Sequence, residues 1–505
     1  MKKMLMAAAV AMAFGAWADT ETVGGYTWTY QINGDTAEIR NGYSAAISPS
    51  PTGAVTIPSM LGGKLVTSIG SSAFSSCSGL MSVTIPDSVT NIGSSAFSSC
   101  SGLTSVTIPD SVTSIGYSAF YDCSGITSVI IPQVVCSSRL SSAFPSSYQS
   151  ITNVVISSSV TSIVPGAFSG CSKLMGIEVL EGNANYSSVN GLLLSKDGNT
   201  LVQGVNRNVI TIPDSVTSIG DWAFENCSGL TSIMLPNSVS TIGYEAFHDC
   251  TNLKIVRLPL AFTYDTTFTY DEYYSSYDSS PFAGCSSIET VEVPGCYGLD
   301  DLFPAAHGIK TVIVKDGETD MSANFGSYFV ADYYDSNYCY YYSCYAYRTN
   351  LTAISIPHSV TNIGSSLAGC VGLREINLPP NLKGRVSFNG CSSLESIDIP
   401  EGVEGLDDLR NCTNLKRLSF PASLTKIGYN SSSMVFEGCS SIESITVAEG
   451  NPNFAVWEGC LVNKNTAQLI LAFYRCYGYG RVVMPEGITS IGYNAFDNCE
   501  GMTSL

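Results

Sequence analysis

"GLMSVTIPDSVTNIGSSAFSSC" (Gly79 to Cys100) is followed at once by "GLTSVTIPDSVTSIGYSAFYDC" (Gly102 to Cys123), and "GLTSIMLPNSVSTIGYEAFHDC" (Gly229 to Cys250) carries the same template again. The shared pattern is L-x-x-V-x-I-P-x-x-V-x-x-I-G-x-x-A-F-x-x-C, with a period of about 23 residues. Looser copies surround Leu373, Leu394 and Leu415, and about seventeen strand-like segments of this kind run through the chain. A period of this length is the signature of a solenoid, because one unit cannot bury its own apolar set and must stack on a neighbour.

Each unit reads as a small structural sentence. Val83 and Ile85 alternate with Ser82 and Thr84, so one face of a short strand is apolar and the other hydroxylated. Pro86 withholds a donor and ends that strand. A second extended piece, "SVTNIG", leads to Gly93, which permits a tight bend into a helical turn expected to bury Ala96 and Phe97. The expected fold is thus a β-rich repeat solenoid, a short strand plus a helical turn per coil, over residues 55–505.

This template resembles the BspA-like, or Treponema-type, leucine-rich repeat of bacterial and protist surface proteins, and the match runs from about Val55 onward. The resemblance implies a curved right-handed solenoid at a cell surface, in a family implicated in adhesion to host proteins. It assigns no binding residue, because its motif consists of core positions.

Three regions depart from the repeat. Residues 19–54 include "YTWTYQINGDTAEIRNG", where alternating aromatic and β-branched residues flank Asn33-Gly34, a hairpin signal read as an N-terminal β-hairpin cap. Two stretches, 177–212 and 445–485, share E-G-N-x-N-aromatic ahead of two strands and read as hairpin extensions of a coil. The Lys196-Asp197-Gly198 turn in the first lacks the alternating carboxylates of a calcium loop. Two inserts, 262–280 and 328–347, hold half of the 28 tyrosines. They contain Tyr264, Tyr270, Tyr273, Tyr274 and Tyr277, then Tyr333, Tyr334, Tyr340, Tyr341 and Tyr342. Tyrosine joins a rigid contact surface to a polar end, so these inserts are candidate binding elements; the alternative is packing on the solenoid flank.

Composition narrows the function. The net charge of -19 and the lack of clustered Lys and Arg exclude a nucleic-acid partner. "MKKMLMAAAVAMAFGAWADT" has the order of a secretory signal, a basic start, a short apolar run and Ala16-Trp17-Ala18, so cleavage after residue 18 and an exported chain are expected, whether extracellular, surface-bound or periplasmic. No later segment is long and apolar enough to span a bilayer as a helix. The three histidines, His248, His307 and His358, have no metal-ligand neighbours at useful spacing, and no nucleophile elbow, phosphate loop or zinc-protease motif occurs. Neither an enzyme nor a cofactor is expected. The chain ends at Leu505, at the start of a further coil, so a partner or further domain is expected to cover that edge.

Outward strand positions vary along the chain. They begin as small hydroxyls and become bulky or charged at Arg257, Glu292, Glu375, Asp398 and Arg417, which places the expected recognition surface between about Lys254 and Arg417. The partner classes expected are host or neighbouring-cell proteins or glycans, against a rival role as a spacer with no ligand.

The 18 cysteines separate into two sets. Twelve follow the buried Phe or Leu by three residues, among them Cys77, Cys100, Cys123, Cys171, Cys227 and Cys250. Parallel stacking disfavours both bridging and zinc for these, and Ser147 fills the slot after Phe144, so a small, weakly polar packing rung is expected. Of the six others, Cys460 with Cys476 and Cys339 with Cys344 are candidate disulfides, while Cys136 and Cys296 have no assigned partner.

Overall fold

In the computed structural model the described residues are 18–264, 280–335, 340–428, 434–472, 483–496 and 499, with backbone alone for 264, 328–335 and 340–346. They fall into two compact units: residues 1–207 with 215–229 and 242–250, and residues 208–214, 230–241 and 251–505.

In the first unit, Gly53–Thr56, Leu80–Thr84, Ser105–Thr107, Ser128–Ile131, Asn153–Ile156 and Gly176–Val179 form one parallel sheet. Its register is one coil per rung: Val83, Val106, Val129, Val154 and Ile177 lie in one inward column, and all are buried. A second parallel ladder joins Lys64–Ile69, Asn91–Ile92 and Ser114–Ile115. Ahead of them, Tyr26–Asn33 pairs antiparallel with both Asp19–Val23 and Thr36–Ile39, the latter across the Gly34-Asp35 turn. Thr36–Ile39 then pairs in parallel with Lys64–Ile69. Trp28, buried in this segment, lies edge-on to Phe74 with ring centroids 5.9 Å apart.

The third side of each coil is not the helical turn expected from Ala-Phe-x-x-Cys. Ser95 and Ser99 adopt φ of 55° and 60°, and Ser72, Ser76, Ser118 and Asp122 repeat this pair in adjacent coils. A left-handed residue every fourth position cannot continue a right-handed helix. The chain instead makes two consecutive reverse turns whose amides alternate in direction. The N–H groups of Ser95, Phe97 and Ser99 donate to Tyr117, Ala119 and Tyr121 of the next coil at 2.8–3.1 Å. Those of Ala96, Ser98 and Cys100 bond within the coil. Among the described residues, the helices are short and lie where coils are irregular, at Gln133–Cys136, Leu140–Ala143 and Leu299–Leu302, with a 3-10 turn at Tyr148–Ser150. Gly116 is required by close approach, since a Cβ there would lie 2.4 Å from the Ser94 nitrogen.

Inside these turns the phenylalanines stack. Phe74, Phe97, Phe120 and Phe144 have successive centroid distances of 4.9, 5.2 and 5.0 Å. Beside them runs the cysteine column, and six of its rungs share one bond. Cys100 Sγ donates to Phe74 O of the preceding coil at 3.1 Å, and that oxygen also accepts the Cys77 N–H at 3.1 Å. Both lone pairs of a buried carbonyl are thereby used. Cys123, Cys250, Cys391, Cys412 and Cys439 repeat the bond at 3.0–3.2 Å. Ser147, in the same slot, also donates to the preceding coil, but to Cys123 O, at 2.7 Å, and not to the Phe120 carbonyl. All twelve ladder cysteines are free thiols, and burial pushes those of Cys123, Cys171, Cys227 and Cys391 up to about 12.

The two hairpin extensions share a buried peg that the E-G-N-x-N spacing marks. Asn183 Nδ2 donates to Ser157 O and Val160 O at 2.9 and 3.0 Å, while its Oδ1 accepts the N–H groups of Asn185 and Tyr186 at 2.9 and 2.8 Å. Asn451 repeats all four bonds, to Pro421 O, Leu424 O, Asn453 N and Phe454 N. Lys196 and Lys464 each donate to the carbonyl of their own peg.

In the second unit, Ser232–Met234, Ile255–Arg257, Thr290–Val293, Thr311–Val314 and Ala353–Ser355 form a five-stranded parallel sheet. Further on, Ser396–Asp398, Arg417–Phe420 and Ser444–Val447 form a second ladder, and Gly384–Ser387, Val403–Asp408 and Lys426–Ile427 a third.

Two substitutions test these roles. Cys100→Ser keeps a donor in the slot and should shift the urea midpoint little, whereas Cys100→Val removes the second donor from Phe74 O and should cost about 1–3 kcal/mol. Asn183→Ala strips partners from two buried carbonyls and two amides at once, so its loss should exceed about 2 kcal/mol by the same measurement.

Candidate functional site

The outward residues of the five-stranded sheet form two columns. One is Ser232, Ile255, Thr290, Thr311 and Ala353; the other is Met234, Arg257, Glu292, Ile313 and Ser355. Alternation alone dictates this, since the inward column Ile233, Val256, Val291, Val312 and Ile354 is buried. Of the predicted residues, the structure brings Arg257 and Glu292 together, Arg257 Nε standing 3.5 Å from Glu292 Oε2. Lys315 Nζ approaches Glu292 Oε1 at 3.4 Å and donates to Leu258 O at 2.8 Å. Glu292 therefore lies between two cations, and Arg257 stays half-exposed above them.

Beside this pair the surface is apolar. Met234 and Ile255 are 58% and 40% exposed, and Val209, bridged to Ser232, is 65% exposed. They line a shallow groove of about 380 Å³ that also reaches Asp214 and Arg257. In the first unit the positions equivalent to Ile255 are Ser82, Ser105 and Ser128, and those equivalent to Met234 are Thr84, Thr107, Ile130 and Val155.

The other charged positions are set on a separate ladder. Arg417 is exposed between Ser396 and Ser444, and Asp398 accepts a hydrogen bond from Ser419 Oγ at 2.9 Å. Glu375 is exposed on a coil with no strand of its own, joined to the next by the Glu395 N–H to Arg374 O bond of 3.0 Å. These three do not meet Arg257 and Glu292 in one ion-pair cluster.

Of the first tyrosine insert, Tyr264 ends the short strand Thr263–Tyr264; Tyr270, Tyr273, Tyr274 and Tyr277 lie outside the described residues. Its entry is fixed by buried Phe262, stacked on Tyr297 at 4.8 Å and accepting a hydrogen bond from the Tyr297 hydroxyl. The second insert is an antiparallel two-stranded sheet of Ser327–Asp335 and Tyr340–Tyr347. Its register sets Tyr333 opposite Tyr342, Tyr334 opposite Tyr341 and Asp335 opposite Tyr340, with an irregularity between Phe329 and Ala331.

The exit of that hairpin rests on Arg348, a residue sequence reasoning missed. It is fully buried, donates from Nη1 to Ala306 O at 2.9 Å and pairs with Asp300. Nothing in its sequence neighbourhood marks it; only the 42-residue separation from Ala306 shows what it clasps.

Cys339 and Cys476 lie outside the described residues, and with them both candidate disulfides. Cys460 is buried, its Sγ 3.7 Å from Val483 O. Cys136 is buried, Cys296 exposed. His248 is half-buried, Nδ1 standing 3.6 Å from Asp249 Oδ2. Among the described residues no group of three or more His, Cys, Asp or Glu is placed to hold a metal, and no helix is long and apolar enough to cross a membrane.

Stacked parallel coils with an apolar interior and one variable outward face define a leucine-rich repeat solenoid. The model of the BspA type leucine rich repeat region matches residues 55–185, 199–297, 340–457 and 470–505, in six copies, and the chain belongs to that family. No curated protein matches it. Among solved structures it is similar to a leucine-rich repeat protein from Bacteroides ovatus, at 23% identity over 84% of this chain and 94% of that one, with a TM-score of 0.37. It is also similar to a leucine rich cell surface protein from Faecalibacterium prausnitzii, at 20% identity over 86% and 96%, with a TM-score of 0.24. A third is a leucine-rich repeat protein of T. pallidum, at 17% identity over 70% and 90%, with a TM-score of 0.17.

Arg348→Met should free the hairpin root. Limited proteolysis should then cut within residues 327–347 several-fold faster, whereas Arg410→Ala, which breaks only the exposed 2.7 Å pair with Asp408, should leave that rate unchanged.

Proposed function

We propose that this is an exported protein displayed at a cell surface, whose work is to bind proteins or glycans of a host or neighbouring cell. Its recognition surface is the outward strand face from about Lys254 to Arg417, together with the two tyrosine inserts. The observation that carries this reading is the exposed apolar surface of Val209, Met234 and Ile255 beside the charge of Arg257. Exposed contiguous apolar surface rimmed by polar groups marks interaction sites more often than it marks bare scaffold. The inserts add two acidic residues in 328–347 and four in 262–280, with no Lys or Arg in either, so a partner with basic character is favoured. Family membership and the leucine rich cell surface protein of F. prausnitzii support the surface location.

The test is an array of glycans and matrix proteins probed with the intact chain and with a variant in which both inserts are replaced by short turns. Binding by the intact chain that falls at least about tenfold in the variant is expected. Unchanged binding would remove the inserts from the site, and a chain that binds nothing on the array would point to a spacer.

A further inference from the structure

The two hairpin extensions are copies of one device, yet they close differently on one side. In the first, Trp222 at φ of 53° lies over Gly166, its ring 3.4 Å from where a Cβ would stand, and donates from Nε1 to Glu245 Oε2 at 3.0 Å. The Tyr186 hydroxyl accepts the Ile163 N–H at 2.9 Å. In the second copy, Asn494 at φ of 58° stands where Trp222 stands, and Phe454 where Tyr186 stands. An indole and a hydroxyl are lost together. The ladder is interrupted at both copies, Ser114–Ile115 and Lys426–Ile427 each being the last strand before a separate sheet that holds the hairpin, so the lost side chains are what differs. The result is a cleft of about 300 Å³ at the break, a volume at the small end of ligand pockets.

We propose that this cleft is a binding site for one pyranose ring of a neutral saccharide, distinct from the outward strand face. Its lining includes Lys426, Glu437, Asn463, Gln468, Tyr493 and Asn494. Tyr493 is 59% exposed and offers a flat apolar face with a polar edge. The three amides supply donors and acceptors together, which suits vicinal hydroxyls, each of them also both donor and acceptor. Asn463 Oδ1 already accepts the N–H groups of Asn465 and Thr466 at 2.9 and 3.2 Å, which fixes the orientation of that amide and leaves its nitrogen to donate. Lys426 and Glu437 cancel in charge, so the site has no net preference for an ion. A ring that is apolar on its C–H face and hydroxylated around its edge fits this lining.

Saturation-transfer NMR on the full chain, with methyl glycosides of glucose, galactose and mannose and with N-acetylglucosamine at millimolar concentration, tests the proposal. At least one sugar should give transfer. Asn494→Trp, which restores the residue of the first copy, should abolish it; Tyr493→Ala and Gln468→Ala should each weaken it about tenfold. Asp221→Ala, at the position of the first copy that matches Tyr493, should change nothing. Melting curves of the variants identify any that fail to fold, and the remaining variants then decide. Transfer to no sugar overturns the proposal, as does transfer that survives in the folded variants or a preference for free glutamine over all four sugars. Because none of these residues lies on the outward face, loss of this site leaves array binding through the inserts unaffected.

Discussion

A buried carbonyl with two lone pairs governs the regular coils. Phe74 O takes one donor from its own turn and one from the thiol of the coil after it, so neither coil is complete without the other. The amides of the same turn obey the same rule, every second one pointing forward. A coil cut from its neighbours would leave those groups without partners and its Phe, Val and Ile columns exposed to water. Stacking is thus enforced by hydrogen bonding as much as by apolar burial, and this explains why a slot flanked by large apolar residues accepts cysteine or serine and is not simply filled with carbon.

Strand positions, register and the inward columns were legible in the sequence because period-2 alternation and the 23-residue repeat mark them residue by residue. The third side was not. Ala-Phe-x-x-Cys has helical spacing, and nothing in one copy signals that Ser95 and Ser99 turn left-handed. The signal lies across copies: Ser99, Asp122, Asn226 and Asp249 share one slot, and such short polar residues, whose side chains bond locally, tolerate that conformation.

The candidate sites were legible to different depths. Arg257 and Glu292 could be assigned outward by alternation, and their pairing follows from neighbouring strands in register. Lys315 as the second cation on Glu292 could not, since it comes from beyond the strand end on the next coil. Arg348 and the asparagine pegs were hidden for another reason: each acts on backbone carbonyls, which carry no sequence identity. The pegs nonetheless repeat with their E-G-N-x-N frame, and a buried polar residue recurring in a fixed frame is a signal that could have found them.

The recurrence of one thiol-to-carbonyl bond in the regular coils has a consequence for how such a chain changes length. Where successive joints are the same bond, as at Cys100 and Cys123, a whole coil can be inserted or removed and the two cut ends still present matching partners. Gly79–Cys100 and Gly102–Cys123 already read as near duplicates, so reach can grow by copying, while the outward positions, which no joint uses, are free to vary separately.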